Sequence, residues 1–153
     1  MELVNSDEIE YITCEDVEED ELEWVIDKGE EMIKYCAENG GLGLAAPQIG
    51  IYKNFFVYSP REEIFQIVIN PKWFPDGKKT NTVEGCLSYP GQNYFLSRYK
   101  YIRAVYYGRS KTTGKMERVA KRLSGDDAII FQHETAHLRG KTVRTEGRLI
   151  ENG

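Results

Sequence analysis

Apolar residues first recur at helical spacing. Leu22, Val25, Ile26, Gly29, Ile33 and Cys36 fall at three- and four-residue steps, which predicts an amphipathic helix from about Glu18 to Glu38. Asn39-Gly40-Gly41 supplies its stop. The acidic bias from Glu15 to Glu31 matches the solvated face of such a helix. After Pro47 and Gly50 the rhythm changes: Phe55-Phe56-Val57-Tyr58 and the run Ile64 to Ile69 read as strands, the second closed by Asn70-Pro71. Pro75-Asp76-Gly77-Lys78 reads as a turn. Aromatic and β-branched residues then dominate from Tyr99 to Tyr107, Thr112-Thr113-Gly114 makes a hairpin loop, and Lys115 to Leu123 can pair back.

A second helix follows. Ser124 stands as N-cap with Asp127 three residues on, a capping-box-like pair, and Asp126 and Asp127 suit the positive end of the helix dipole. Gly140 ends it. Between them Ala128, Ile129, Ile130 and Phe131 form a nearly continuous apolar run, so this helix is expected to be buried on most sides. The order helix, strands, helix predicts an α+β fold with antiparallel sheet elements packed around that buried helix.

The 153 residues fit one domain spanning 1–153. A net charge of -5 and a pI near 5.2, with no Lys/Arg cluster, argue against a nucleic-acid-binding surface. The N-terminus lacks the basic start and apolar run of a signal peptide and no stretch approaches a membrane span, so a cytoplasmic protein is expected. Three widely spaced cysteines, an odd number, suit a reducing compartment better than a disulfide framework.

Chemistry concentrates in the second helix. The chain's two histidines stand in His133-Glu134-Thr135-Ala136-His137, an HExxH word. Residues four apart share one helix face, so both imidazoles can grip one ion while Glu134, one step round, is aimed beside it as a proton acceptor. A catalytic site of this type takes three protein ligands and leaves a position open. The extended HExxHxxGxxH word fails here, because Val143 stands at its last position. Glu146 and Glu151 lie in a short polar tail and are poor downstream candidates. Upstream, Cys14 sits beside Glu15 and Asp16, whose charges disfavour a thiolate, and Cys36 falls on the apolar stripe of the first helix. Cys86, in Glu84-Gly85-Cys86-Leu87-Ser88, is the best third ligand.

Gly41-Leu42-Gly43-Leu44-Ala45-Ala46 formally fits a dinucleotide-loop pattern, but it follows a helix rather than a strand. Its glycines permit close backbone approach to an extended peptide, and Gln48 offers a neutral amide donor.

Taken together, Gly41 to Gln48, Glu84 to Ser88 and Gln132 to Gly140 resemble, in order and spacing, the three signature motifs of the peptide deformylases. The resemblance implies hydrolysis of the formyl group from the N-terminal formyl-methionine of nascent polypeptides. It implies Cys86, His133 and His137 as metal ligands, Glu134 as the proton-transferring acid/base, and the Gln48 side chain and Leu87 backbone N–H as oxyanion donors. It also implies ferrous iron (Fe2+) as the working ion, with Zn2+, Ni2+ or Co2+ as substitutes, although thiolate plus two imidazoles suits zinc by ligand softness. The formyl-methionyl peptide is expected along Leu42, Gly43 and Gly85, with its methionine side chain against Ile129 and Ile130.

Two departures stand out. Ala136 replaces the acidic residue that family members usually carry before the second His, which would leave an Arg such as Arg98 short of a partner. Only Lys141 to Gly153 follow the last motif, against a C-terminal helix in many relatives, so the transient ribosome docking expected of the family lacks that element; a compact phage-type form is one such branch. The rival readings are an HExxH peptidase or amidase of other specificity and a catalytically silent metal-binding domain.

Overall fold

The computed structural model describes residues 1–60 and 64–150. Glu151, weighed above as a ligand, lies outside the described residues. The first helix, α1, is Leu22–Glu38, entered through a 3-10 turn at Glu19–Glu21, so the α-helix proper begins slightly later than the periodicity predicts. It buries Val25, Gly29, Met32 and Cys36. Gly29 is a packing glycine: a Cβ there would lie 2.7 Å from Ile67 Cδ1, so the helix sits directly on the sheet.

Eight strands make two antiparallel sheets among the described residues. The strands are β1 (Gly43–Ala45), β2 (Phe55–Tyr58), β3 (Gln66–Pro75), β4 (Lys79–Glu84), β5 (Tyr94–Tyr99), β6 (Tyr101–Arg109), β7 (Met116–Ser124) and β8 (Arg148–Leu149). The larger sheet runs β1-β2-β3-β6-β7 and the smaller β4-β5-β8. The second helix, α2, is Gly125–Leu138, followed by a one-turn α3 at Val143–Glu146.

The larger sheet is covered on both faces. Phe55 and Val57 of β2 join Val25, Met32, Cys36 and Leu44 in a core with α1. Their neighbours Phe56 and Tyr58 point the other way, into a core with Phe131 of α2. That two-sided burial explains why β2 reads as an unbroken apolar run. Phe131 meets Phe56 edge-on at 5.1 Å and Tyr58 at 5.9 Å, a geometry aromatic quadrupoles favour. The antiparallel sheets around a buried α2 are the α+β arrangement expected from the element order.

Several boundaries differ from the sequence pattern. Asn70-Pro71 does not close a strand: β3 continues to Pro75, with a register shift between Ile69 and Lys72. A bulge is where a residue without a backbone N–H is tolerated inside a sheet. Asn70 takes a left-handed φ of 51° there, and its side chain accepts from Val17 N (2.8 Å) and donates to Val17 O (3.0 Å). The run expected from Tyr99 to Tyr107 is two strands in different sheets, split at Lys100. Gln132 of α2 fixes the split, accepting from Tyr99 N at 2.9 Å and donating to Tyr99 O at 2.8 Å. β4 carries no apolar alternation, because the positions it buries are Thr82 and Glu84. Ser124 occupies the N-cap of α2 with extended backbone but makes no side-chain cap bond.

Asn70→Ala removes two hydrogen bonds to the buried Val17 backbone and leaves a Cβ residue at positive φ. The expected loss is about 2 to 4 kcal/mol of unfolding free energy. A urea titration giving the wild-type midpoint and slope would refute this.

Candidate metal centre

α2 supplies the two imidazoles. His133 and His137 lie one helical turn apart with ring centroids at 4.9 Å. Cys86 follows the end of β4 in a tight turn closed by Tyr89 N–H to Cys86 O at 3.0 Å. The smaller sheet thereby delivers a thiol to the helix. One donor atom from each of the three lies within 4.8 Å of the others. Cys86 Sγ stands 3.5 Å from His137 Nε2, against a tetrahedral S···N edge of roughly 3.6 Å expected from ordinary metal–sulfur and metal–nitrogen bond lengths. A soft thiolate with two imidazoles suits a first-row divalent ion, so the three residues fit a single metal.

Behind them lies a carboxylate that pattern reading passed over. Glu84 Oε1 is 2.8 Å from His133 Nδ1, which orients the ring and turns its other nitrogen toward the centre. The same carboxylate is gripped by Arg98, Nη2 to Oε1 at 2.9 Å and Nε to Oε2 at 3.0 Å, and accepts from the Thr82 hydroxyl. Burial alone would raise Glu84, but the bonds from His133, Arg98 and Thr82 outweigh it and hold the carboxyl at about 2. Its signal was in the sequence: an acid two residues before the candidate Cys, in the word already singled out.

Arg98 is not short of partners. Its Nη1 donates to Glu146 Oε1 at 3.0 Å, so α3 gives it a second carboxylate beside Glu84. Glu146 is therefore no loose tail residue.

Glu134 is 3 % exposed, with Oε1 3.9 Å from His137 Nε2 and no hydrogen-bond partner. Burial pushes its carboxyl up to about 7. Gly43 makes room for it: a Cβ on Gly43 would overlap the Glu134 carboxylate. The groups around His133 favour a positive charge on its ring. Burial opposes that charge, but Glu134, Cys86 and Glu84 outweigh burial and push the imidazole up to about 10. Burial and the His133 charge drive His137 well below its ordinary value.

Gln48 lies 1 % exposed behind Cys86. Its Oε1 accepts from Ala45 N at 2.9 Å, which turns Nε2 toward Ser88 Oγ (2.9 Å) and Cys86 Sγ (3.5 Å). The other two thiols are buried away from the centre. Burial raises Cys14 to about 11, with no contribution from its acidic neighbours, and burial followed by the Glu134 charge raises Cys36 to about 12.

A cavity of about 650 Å³ opens onto His133 and Glu134. Leu42 and Gly43 line one wall, Gly85 and Leu87 another, and Ile129 and Ile130 also face it. All the sequence-predicted site residues thus gather at this cleft or, for Gln48 and His137, directly behind it.

A family model described as polypeptide deformylase matches residues 3–148. The chain belongs to the polypeptide deformylase family. It is 37% identical over 116 residues to the peptide deformylase of Hamiltonella defensa, covering 73% of this chain and 64% of the relative. The Fusobacterium nucleatum peptide deformylase is 36% identical over 115 residues, covering 72% and 62%. The match thus spans less than two thirds of either relative's length. Among solved structures, the Thermotoga maritima peptide deformylase superposes with a TM-score of 0.82 at 32% identity, covering 95% of both chains. A probable peptide deformylase from Synechococcus phage S-SSM7 gives 0.79 at 30% identity, covering 94% of this chain and 97% of the phage protein.

In this deformylase-family chain, Glu84 makes stability depend on acid. Its folded pKa lies below the ordinary 4.5, so the stabilisation is complete above about 4.5 and lost as pH falls towards about 2. Linkage gives it on the order of 3 kcal/mol. Wild type should exceed Glu84→Gln in unfolding free energy at neutral pH, the gap closing across that window. A gap independent of pH would contradict this assignment.

Proposed function

We propose that this chain, as one domain over residues 1–153, is a metal-dependent hydrolase that removes the N-formyl group from the N-terminal formyl-methionine of nascent polypeptides. The observation that carries the reading is the convergence of Cys86, His133 and His137 beside a buried, unpartnered Glu134 carboxylate at the end of a cleft.

Cys86, His133 and His137 would hold the ion, ferrous iron with zinc, nickel or cobalt as substitutes. An ion there supplies Lewis acidity, which lowers the pKa of water from about 15.7 towards about 7. Glu134 accepts the proton of the attacking water as its oxygen adds to the formyl carbon. It then delivers that proton to the departing amine nitrogen as the C–N bond breaks, leaving formate and the free N-terminus. Such proton transfer contributes roughly a hundred- to ten-thousandfold. Nε2 of Gln48 and the Leu87 backbone N–H donate to the oxyanion that develops; losing one such donor costs about a hundred- to a thousandfold.

The peptide lies extended between the Leu42-Gly43 backbone and Gly85, with its methionine side chain against Ile129 and Ile130. Transient docking on the ribosome would bring the enzyme to emerging chains. The rival peptidase reading has no use for Gln48 seated behind Cys86, and a silent metal-binding domain has none for a desolvated, unpartnered Glu134.

Anaerobically iron-loaded protein is expected to release formate from a formyl-Met peptide without cutting internal peptide bonds. No formate from demonstrably metal-loaded protein would sink the assignment.

Cys86→Ala should lose metal and turnover together. Glu134→Ala should keep the metal and lose at least about a hundredfold in kcat. Wild-type turnover in either variant contradicts the assigned roles.

A further inference from the structure

Arg98 is the one cation that bridges the proposed metal centre to the C-terminal turn among the described ion pairs. Its side chain is 7% exposed, and it is shared between Glu84, equally buried, and Glu146, 28% exposed. Glu84 in turn divides its two oxygens among Arg98, Thr82 and His133. We infer that Glu146 is a positioning residue of the metal centre: by taking part of the Arg98 charge, it leaves Glu84 free to hold and polarise His133, and so tunes ion affinity from α3.

Electrostatics sets the direction. Without Glu146 the whole guanidinium charge falls on Glu84, in a setting where little water can screen it. Glu84 then accepts less strongly from His133 Nδ1, and the imidazole becomes a poorer donor at its other nitrogen. The uncompensated cation also disfavours a divalent ion nearby. An ordinary surface ion pair would have neither effect, since its contribution stays local and small.

The geometry allows Glu146 to be tested without dismantling the turn that carries it. α3 has its own cap, Thr142 Oγ1 accepting from Thr145 N at 3.3 Å and Thr145 Oγ1 accepting from Thr142 N at 2.8 Å. Val143 anchors it at 1% exposure. β8 beyond it pairs with β5, the strand that carries Arg98.

The inference rests on the metal reading of Cys86, His133 and His137 but not on the formyl substrate. Cobalt(II) affinity, measured by chelator competition on the full chain, should fall roughly three- to tenfold in Glu146→Gln, less than the loss from a direct ligand-orienting partner. Glu84→Gln should lose more, and adding Glu146→Gln to it should change affinity less than about twofold if the effect travels through Glu84. The imidazole N–H proton resonance of His133 should shift in Glu146→Gln, which a purely structural salt bridge would not cause. Wild-type affinity together with an unmoved His133 resonance overturns the inference and leaves the proposed function standing. Failure of the wild-type protein to bind cobalt overturns both.

Discussion

A single buried carboxylate is the constraint from which the centre is built. α2 carries two imidazoles and an acid into the space between the sheets, where polar groups cost several kcal/mol unless partnered. Glu84 satisfies that demand by accepting from His133, Arg98 and Thr82 at once. The four residues come from β4, β5 and α2, so one side chain fixes the helix to two strands of the smaller sheet. Its aim on His133 then decides which ring nitrogen faces Cys86. A buried pair of this kind adds little net stability over a well-packed apolar pair, because desolvation offsets the Coulomb gain. What it contributes is a fixed orientation, which an apolar pair could not give.

Opposite the carboxylate, the same precision is achieved by leaving atoms out. Gly29 lets α1 lie against Ile67, and α1 backs the larger sheet at whose edge β1 stands. Gly43 on β1 then leaves the volume that Glu134 occupies. A buried acid without a hydrogen-bond partner stays protonatable near neutrality, which is what a proton-transferring group requires and what a paired acid such as Glu84 has lost. The two glutamates thus have opposite titration behaviour because Glu84 accepts from three donors while burial dominates at Glu134.

The two long helices and the strands with long apolar runs were legible in the sequence, whereas the short β1 and the polar-burying β4 were not. α1 announced itself through periodicity, α2 and β2 through apolar runs, the β6–β7 hairpin through aromatic and β-branched content around a turn, and the ligand pair His133 and His137 through its four-residue spacing. β4 was invisible because it buries Thr82 and Glu84, polar residues that read as surface until Arg98 and His133 are placed beside them in space. β3 was cut short at Asn70-Pro71 because a proline's effect depends on whether its missing N–H was needed, and at a bulge it was not. Glu146 was misjudged for a related reason. A carboxylate in a polar segment looks solvated, and only the pairing of β8 with β5 brings it to Arg98.

The two sheets also account for where the cleft lies. β1 is an edge of the larger sheet and β4 an edge of the smaller, and α2 packs against both β1 and β5. Edge strands present backbone donors and acceptors that the sheet itself does not use, and an extended peptide can take them up. In most folds such edges are a liability that must be covered. Here Gly43 of β1 and Glu84 of β4 both line the cleft together with His133 and Glu134, so a chain accommodated by those edges would be led to the helix face that carries the proposed ligands. The recognition proposed for the peptide is then largely main-chain. Side-chain selection would fall to the one apolar wall that α2 adds, at Ile129 and Ile130, which suits an enzyme expected to accept one N-terminal residue and many sequences after it.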